Sequence, residues 1–405
     1  MPLQEMSECM SSVLSAVGAL HGKHFREGPS ISQLSIELAE LAAQRAPDGA
    51  RKPLVEIAHH DARARQLVVQ DVLAHEHADL TATMQAGARL ADVNRALAQH
   101  GQWLPIESAF DDATIGGVIA TNDCGPLRHR YGTPRDLLIG IRLALTDGRL
   151  IKAGGNVVKN VAGYDLGRLM SGSHGSLAAI VSATFKLSPL PPASATLVAA
   201  FDDPDALAAT VERLTGSQLE TSACEVHSAK GAAQSGSVHR LLLKFASTPG
   251  VLDRHLQQAR AVVAGARCDV VSARAESDLW REYAGALWTS PGAVLRMAWL
   301  PAHMGQVLTF VRSVRAYCDD AELAARAAVG SGLLRISADA NHLKTTIERM
   351  RMEGLFRHVA VLRADAALKH EVDVWGMQKD AAALGAALKH ALDPQAILNA
   401  GRGPV

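Results

Sequence analysis

Residues 112–190 read DATIGGVIATNDCGPLRHRYGTPRDLLIGIRLALTDGRLIKAGGNVVKNVAGYDLGRLMSGSHGSLAAIVSATFKLSPL. This stretch contains three glycine-punctuated segments, IGGVIATNDCG at 115–125, GGNVVKNVAGYDL at 154–166 and SGSHGSLAAIV at 171–181. Glycine has no side chain, so it adopts positive φ easily and lets a ligand approach the backbone. The three segments, interpreted as loops, predict a large, flat, phosphate-bearing ligand that is held mainly by main-chain groups.

Hydrophobic patterns predict regular elements on both sides of the first segment. Apolar residues alternate with threonines in 79–87, which is typical of a half-buried strand. Leu90, Val93 and Leu97 fall at helical spacing, and Gly101 is a stop signal for that helix. The patterns thus predict a strand followed directly by a helix.

A hairpin and a long strand are predicted between and after the glycine segments. An apolar run over 137–146 is followed by Asp147-Gly148, a strong hairpin signal, and by a returning strand over 149–153. Another apolar strand is predicted over 176–187. The prolines in 189–192 then indicate a domain boundary, because proline interrupts a strand ladder.

The second half of the chain alternates between strand and helix patterns. The predicted strands are 196–201, 240–245, 293–300, 333–336 and 358–362, and the predicted helices are 205–214, 251–263, 302–317 and 341–352. Such repeated strand–helix–strand units predict a split α+β domain of the ferredoxin-like kind. No internal sequence repeat is recognisable.

The motifs of residues 112–190 together resemble the vanillyl-alcohol-oxidase family, whose members carry a PCMH-type FAD-binding domain. The resemblance rests on GGVIATN, RDLLIGIR, the strand–DG–strand hairpin, VVKNVAGYDLGRLMSGSHGSLA and the proline-rich exit. LDPQAILNAGR at 392–402 is similar to the family's closing motif, with Ala400 in place of a proline. The resemblance is strong over 79–192 and 392–403.

The resemblance implies an α+β fold with a PCMH-type domain followed by a ferredoxin-like domain. We expect the PCMH-type FAD-binding domain over 1–192, with a divergent helical part at 1–53. The ferredoxin-like domain is expected over 193–379. A C-terminal helix and tail over 380–405 would return to the FAD domain.

The resemblance also implies FAD as the cofactor and assigns residues to its site. The residues at matching positions are Gly116, Gly117, Thr121, Asn122, Gly125, Lys159, Asn160, Ala162, Gly163, Asp165, Gly172, Ser173, Gly175, Ile180, Val181 and Asn399. Asp165 has a second interpretation, in which it caps the following helix. Tyr164 either contacts the ligand or packs into the core. The tail after Asp393-Pro394 either closes the pocket with Asn399 and Arg402 or is a surface strap that follows the end of a helix.

Composition excludes several classes of function. The formal net charge is zero, so there is no electrostatic basis for binding nucleic acid. The five cysteines are scattered without a CxxC motif, which argues against an iron–sulfur cluster or structural zinc. No apolar run is long enough to span a bilayer and no signal peptide is recognisable, so we expect a cytoplasmic protein, held at a membrane at most through partners.

Histidines do not indicate a catalytic or metal site at this stage. His75-Glu76-His77 has the spacing of a metal-binding pair, but the sequence offers no evident third ligand, so a solvated strand end is the favoured interpretation. Related 2-hydroxy-acid dehydrogenases carry a histidine cluster in the second domain, and no HxH follows residue 193. The catalytic residues therefore stay unassigned.

The resemblance implies an FAD-binding component of a glycolate-oxidase-type complex that oxidises a small 2-hydroxy acid to the 2-oxo acid. Its partners would be a sister flavoprotein subunit and an iron–sulfur subunit. The family's first pyrophosphate loop, normally near the N-terminus, has no glycine-rich counterpart before Gly87. A flavin-free, non-catalytic scaffold in the same kind of complex therefore remains an alternative.

Overall fold

The computed structural model describes residues 72–156, 164–229, 239–399 and 403. The helices expected within 1–53 lie outside these described residues. The described part of the chain divides into two compact units. The first comprises 72–124, 132–156, 164–190, 377–399 and 403, and the second comprises 125–131, 191–229 and 239–376.

The first unit is built on an antiparallel five-stranded sheet. Its strands are β1 (Val72–Glu76), β2 (Thr81–Gln85), β4 (Leu138–Ala144), β5 (Leu150–Gly154) and β6 (Ala179–Lys186), in the spatial order β1-β2-β6-β4-β5. Two short strands, β3 (Gln102–Trp103) and β7 (Ser188–Pro189), pair separately. The predicted strand at 79–87 and the predicted hairpin are both confirmed.

Helices cover the first sheet and complete its core. They are α1 (Leu90–Ala98), α2 (Ile115–Thr121), α4 (Pro134–Leu137), α5 (Leu166–Met170) and α12 (Lys379–Leu392). Leu90, Val93 and Leu97 are buried, as the helical spacing of α1 predicts. Met84 of β2 and Phe185 of β6 are fully buried in the same core.

The segment at 115–121 is a helix, so its interpretation as a loop was wrong. Thr114 begins α2 as its N-cap, with its hydroxyl accepting from the Gly117 amide. Ile115, Val118 and Ile119 are buried, as is every other residue of the helix. Each glycine costs a helix roughly 1 kcal/mol relative to alanine. Burial of the apolar side chains offsets that cost, since each contributes ~1.5–3 kcal/mol.

The second unit contains an eight-stranded antiparallel sheet. Its strands are β8 (Ala193–Phe201), β9 (Ala223–Ser228), β10 (His239–Ser247), β11 (Arg267–Ser272), β12 (Ala293–Trp299), β13 (Asp320–Arg326), β14 (Ser331–Ser337) and β15 (Phe356–Arg363). Its helices are α3 (Arg128–Tyr131), α6 (Pro204–Thr215), α7 (Pro249–Val262), α8 (Ala273–Thr289), α9 (Met304–Arg315), α10 (Ala340–Met352) and α11 (Ala366–Glu371). The strand order is β11-β8-β10-β9-β13-β14-β12-β15.

This sheet consists of two ferredoxin-like halves, a repeat that the sequence did not reveal. The first half runs β8-α6-β9-β10-α7-β11, and the second runs β12-α9-β13-β14-α10-β15. Both halves place their four strands in the equivalent order, and the second strands of the two halves, β9 and β13, pair antiparallel at the junction. The two halves therefore meet edge to edge and form one continuous sheet.

The two faces of the large sheet bury alternate residues of each strand. On one face, Leu241 and Leu323 join the core that also contains buried residues of α6, α7, α9 and α10. On the other face, Leu242 and Ala324 pack with Trp280 of α8. The helix α8 was not predicted, and it closes the face on which the polar side chains of β9, β13 and β14 lie.

We predict that Gly154 tolerates a side chain far less well than Gly101. Both glycines have a positive φ, +70° and +66°, so Gly101→Ala and Gly154→Ala pay the same left-handed penalty of roughly 1–2 kcal/mol. A Cβ at Gly154 would lie 2.1 Å from the Ile139 carbonyl oxygen, whereas nothing lies within 4 Å at Gly101. Gly154→Ala should therefore destabilise by a further ~1–3 kcal/mol.

Urea unfolding of the wild type and both variants measures this difference. Gly101→Ala is the matched control, because it shares the backbone strain but has no steric overlap. Equal losses of unfolding free energy in the two variants would contradict the prediction.

Candidate functional site

Several polar groups of helix α2 that the resemblance assigned to the cofactor form hydrogen bonds within the first unit instead. The Gly116 amide donates to the carbonyl of Ala86 at 2.7 Å, and the Gly117 amide donates to the Thr114 hydroxyl at 3.1 Å. The Thr121 hydroxyl donates to the Gly117 carbonyl at 2.8 Å. The two glycines thus allow the first turn of α2 to lie directly against the neighbouring backbone.

The end of α2 brings Asn122 next to the third glycine segment. Asn122 adopts the left-handed conformation with φ of 47°, and its side-chain oxygen accepts from the Arg135 amide at 3.4 Å. A Cβ built on Gly172 would lie 3.8 Å from the Asn122 Cβ. Gly125 belongs to the second unit, where its carbonyl accepts from Arg326 Nε at 3.1 Å.

Residues 171–176, which we call the glycine loop, are positioned by the last turn of α2. Gly172 and Gly175 have φ values of +84° and +67°, a conformation that favours glycine. The Gly172 amide donates to the carbonyl of Ile119 at 3.1 Å, and the His174 amide donates to that of Ala120 at 2.8 Å. The loop therefore takes its shape from glycine conformations and from two bonds to the end of a buried helix.

Ser173 of the glycine loop carries an unsatisfied polar group. This residue is 5% exposed, and its hydroxyl has no hydrogen-bond partner among the residues that the structure describes. A buried donor without a partner costs ~1–3 kcal/mol, so this hydroxyl would gain from a partner such as an ordered water, an ion or a ligand. This buried hydroxyl, on a loop whose glycines have a positive φ, fits a segment that accepts an oxygen-rich group such as part of FAD.

The C-terminal clamp, comprising Lys389, Asp393 and Asn399, holds the other side of the glycine loop. Asn399 Nδ2 donates to the carbonyl of His174 at 2.6 Å. Lys389 Nζ donates to the Ser176 carbonyl at 2.7 Å and forms an ion pair with Asp393 at 2.6 Å. The sequence implied a closing role for Asn399, but Lys389 was missed because its signal is only a basic residue in the last turn of a helix.

Asp393 does more than end helix α12. Its carboxylate accepts the backbone amides of Ile397 at 3.1 Å and Leu398 at 2.8 Å, in addition to the Lys389 ammonium. The Asp393 side chain is fully inaccessible. This one buried carboxylate therefore folds the tail back so that Asn399 reaches the glycine loop.

The remaining residues that the resemblance assigned to the site have varied positions. Lys159, Asn160, Ala162, Gly163 and Arg402 lie outside the described residues. Asp165 caps helix α5 by accepting from the Arg168 amide at 3.0 Å. Ile180 is buried in β6, and the Val181 carbonyl accepts from the Ala86 amide at 3.0 Å.

Tyr164 does not pack into the core, which was one of the two interpretations of this residue. It is 92% exposed, directly after the segment that contains Lys159 and Asn160. An exposed tyrosine at this position is accessible to a ligand or a partner surface.

The second unit contains a buried charged network under helix α8. His227 Nε2 bonds Glu322 at 2.7 Å, and its Nδ1 faces Arg240 Nη2 at 2.8 Å. Arg335 bridges Glu322 at 2.9 Å and Asp320 at 2.5 Å. Because both ring nitrogens of His227 are engaged, the network holds this imidazole in one orientation.

Burial and charge set the titration of this network. Burial alone would raise the pKa of Glu322, but the hydrogen bonds and charges of His227 and Arg335 outweigh it and lower that pKa to about 2. Tyr283 of α8 donates to Glu225, and burial together with this carboxylate raises the pKa of the Tyr283 hydroxyl well above its usual value. The network therefore holds Glu322 ionised and Tyr283 protonated near neutral pH.

The fold is shared with solved structures of an enzyme from another reaction class, alkyldihydroxyacetonephosphate synthase. A structure of alkyldihydroxyacetonephosphate synthase matches with a TM-score of 0.60 and 15% identity, covering 82% of this chain and 66% of that one. The predicted fold is thereby confirmed: the chain has an α+β fold with a PCMH-type FAD-binding domain and a ferredoxin-like domain.

Family comparison locates the cofactor domain in sequence. Residues 65–154 match the family described as FAD binding domain. This match supports the prediction of FAD as the cofactor. It spans α2, β4 and β5, while the glycine loop and the C-terminal clamp lie beyond it.

The chain is homologous to FAD-linked oxidoreductases. It is 38% identical over 152 residues to glycolate oxidase subunit GlcD of Bacillus subtilis, covering 37% of this chain and 32% of that protein. It is 38% identical over 128 residues to glycolate oxidase subunit GlcE of Escherichia coli, covering 31% and 37%. D-lactate dehydrogenase of Archaeoglobus fulgidus is 41% identical over 104 residues, covering 26% and 24%. Each match spans well under half of the relative's length.

Two further properties bear on the predictions from composition. None of the helices in the described ranges is long and apolar enough to cross a membrane. Among the described residues, Cys224, Cys268 and Cys318 are free thiols.

We predict that Asp393→Ala loosens the C-terminal clamp. The change leaves the largely buried Lys389 ammonium without its counter-ion and removes the acceptor for two amides, at a cost of ~3–5 kcal/mol. Thermal unfolding and the rate of proteolysis after residue 392 measure the effect. Glu371→Ala is the control, because its exposed pair with Lys344 should contribute less than about 1 kcal/mol. Similar effects of the two changes would count against the clamp.

We predict that Glu322→Gln destabilises the protein in a pH-dependent manner. A pKa of about 2 in the folded state, against an ordinary 4.5, corresponds to about 3 kcal/mol of stabilisation. Because the folded pKa is depressed, this stabilisation is complete above pH 4.5 and is lost as the pH falls toward 2. The stability gap to wild type should therefore narrow below pH 4.5.

Urea unfolding at a series of pH values from about 3 to 7 measures that gap, across the range in which such a carboxylate titrates. Asp278→Asn, which breaks an exposed ion pair with Arg281, is the control and should show a small, nearly constant difference. A gap for Glu322→Gln that does not change with pH would contradict the assigned charge state.

Proposed function

We propose that this chain binds FAD and acts as the FAD-binding component of a glycolate-oxidase-type 2-hydroxy-acid oxidoreductase, in the position that GlcE has in Escherichia coli glycolate oxidase. The observation that carries the proposal is the FAD binding domain match at 65–154, with the buried, unsatisfied Ser173 hydroxyl in the same structural unit. Homology to glycolate oxidase subunits and to a D-lactate dehydrogenase supports the oxidation of a small 2-hydroxy acid.

In this proposal the glycine loop is the main element that holds the cofactor. The backbone at Gly172 and Gly175 would allow FAD to approach closely, because glycine has no side chain. Ser173 offers a buried hydroxyl as a hydrogen-bond donor. Asn122 contributes a side-chain amide beside Gly172. By resemblance, Lys159 and Asn160 add polar contacts.

When bound, FAD would supply the hydride acceptor for oxidation of a 2-hydroxy acid to the 2-oxo acid. The protein supplies binding and orientation. The C-terminal clamp keeps the glycine loop in one conformation, which lowers the entropic cost of binding because fewer groups remain to be ordered.

Electron transfer away from the flavin is the proposed reason for partner chains. The five cysteines include no CxxC motif, so the iron–sulfur clusters expected for such a complex would reside on another chain. A sister flavoprotein subunit and an iron–sulfur subunit are the partners that we propose.

A flavin-free scaffold protein is the second candidate, and helix α2 favours it. The amides of Gly116 and Gly117 and the hydroxyl of Thr121, which the resemblance assigned to the cofactor, all donate within the protein. By resemblance, the family's first pyrophosphate loop has no glycine-rich counterpart before Gly87, which would remove further contacts to FAD. If about three charge-assisted bonds are lost, the loss of binding free energy is ~4.5–9 kcal/mol.

Quantitative flavin loading separates the two candidates. The purified chain is incubated with excess FAD, desalted, and assayed for visible absorption and for flavin released on denaturation. Near-stoichiometric FAD supports the flavoprotein proposal. A colourless protein that cannot be loaded contradicts it and leaves the scaffold candidate.

We predict that Ser173→Ala weakens FAD binding without destabilising the protein. Removing a buried hydroxyl that has no partner among the described residues should leave unfolding free energy unchanged or slightly higher. The loss of one hydrogen bond to the cofactor, worth ~0.5–1.5 kcal/mol, should weaken FAD affinity about 2- to 13-fold.

FAD titration by fluorescence and thermal unfolding measure the two effects separately. Ser222→Ala is the matched control, because Ser222 of the second unit is also buried and its hydroxyl likewise lacks a partner among the described residues. Equal FAD affinities for wild type and Ser173→Ala would show that Ser173 does not contribute to FAD binding.

A further inference from the structure

Three histidines converge on one edge of the first unit. His75 lies near the end of strand β1, His77 begins the short helical turn that follows it, and His100 lies just after helix α1. One nitrogen from each ring can be chosen so that all three lie within 4.8 Å of one another. The sequence alone offered no third ligand for the pair His75 and His77, and the fold supplies it as His100.

The backbone fixes the directions from which the three side chains approach. His75 pairs with Ala82 across the β1–β2 ladder. The amide of His100 donates to the Leu97 carbonyl at 3.0 Å, and Gly101 then turns the chain with φ of +66° into β3. Each imidazole is therefore carried by a hydrogen-bonded element of the same unit.

The rings are already close together. The centroids of His75 and His77 are 4.0 Å apart, those of His77 and His100 are 4.0 Å apart, and those of His75 and His100 are 5.2 Å apart. Zinc binds imidazole nitrogen at ~2.0–2.1 Å in a tetrahedral arrangement, so three ligand nitrogens would lie about 3.4 Å from one another. Ligand nitrogens that now lie within 4.8 Å of one another would need to approach by at most about 1.4 Å to reach that separation.

A buried glutamine orients one of the rings. His75 Nε2 lies 2.8 Å from Gln102 Oε1, and Gln102 Nε2 donates to the His77 carbonyl at 2.9 Å. When Nε2 of His75 donates to this oxygen, Nδ1 of the ring carries the free lone pair. Metal-binding histidines characteristically donate their second ring nitrogen to such a group, which fixes the tautomer. Gln102 thus has the position of an outer partner of a metal ligand.

We propose that His75, His77 and His100 form a binding site for a divalent transition-metal ion, best matched by Zn²⁺. Three imidazoles suit zinc and exclude the hard cations calcium and magnesium, which prefer oxygen ligands. His77 and His100 are exposed, so a fourth, open position faces solvent and is available to water or to a small anion. The ion would join the β1 end to the turn after α1.

Metal titration of the full chain, prepared without an affinity tag and stripped with chelator, tests the site. The probes are Zn²⁺ by calorimetry and Co²⁺ by visible absorption. We expect one equivalent of metal per chain, and at least about 100-fold weaker binding for His100→Asn and for His77→Asn. Gln102→Leu should weaken binding about 10- to 100-fold, since outer partners typically contribute that much.

His370→Asn is the matched control, because His370 is an exposed histidine outside the cluster and its loss should leave metal affinity unchanged. X-ray absorption at the zinc edge should show three imidazole nitrogens at ~2.0–2.1 Å. Unchanged affinity in the folded His100→Asn variant, or fewer than three imidazole ligands, would overturn the proposal and mark any bound metal as adventitious. The outcome does not depend on whether FAD binds.

Discussion

The glycine loop depends on one constraint, which is that each buried backbone group must find a partner. Its amides reach the end of α2 at Ile119 and Ala120, and its carbonyls receive Asn399 and Lys389. A loop lacks the regular backbone hydrogen bonds of a helix or a sheet. Each buried N–H or C=O group that stays unpaired costs about as much free energy as a lost hydrogen bond. The buried carboxylate of Asp393 is what brings the last two donors into place.

The second unit solves a different problem, that of sheet edges. Each ferredoxin-like half would expose β9 or β13 as an edge, and pairing these two strands joins the halves. Unpaired edge strands are templates for unwanted association, so the junction hides two of them. The same junction places Glu322 and His227 on adjacent strands, where their side chains form a hydrogen bond under α8.

Sequence patterns predicted the elements whose burial follows a simple period. Helix α1, strand β4 and the second-unit strands β8, β10, β12 and β15 were located within a few residues, because one apolar face decides their structure. Strand β13, DAELAAR, was missed because alanine and glutamate favour helix and only pairing with β9 and β14 makes it a strand. Helix α2 was mistaken for a loop because its adjacent glycines outweighed a short apolar period.

The candidate site was predictable only in part, because some of its residues are brought together by contacts between distant parts of the chain. The glycine loop and Asn399 could be found by resemblance, since their residue types are unusual. Lys389 and His100 are ordinary residues in the sequence, and each acquires its role from a neighbour that is distant along the chain. For Lys389 that neighbour is Ser176, and for His100 it is His75. Long-range proximity of this kind leaves no local pattern.

The chain order of these contacts has a consequence for synthesis in the cell. The first unit takes residues from before and after the second, so the second unit is in effect inserted into the first. During translation, residues 191–376 leave the ribosome before Lys389 does, and they can begin to form their antiparallel sheet first. Domains generally fold as units as they emerge. The glycine loop is synthesised early, but its contacts with Lys389 and Asn399 can form only after the C-terminal tail has left the ribosome.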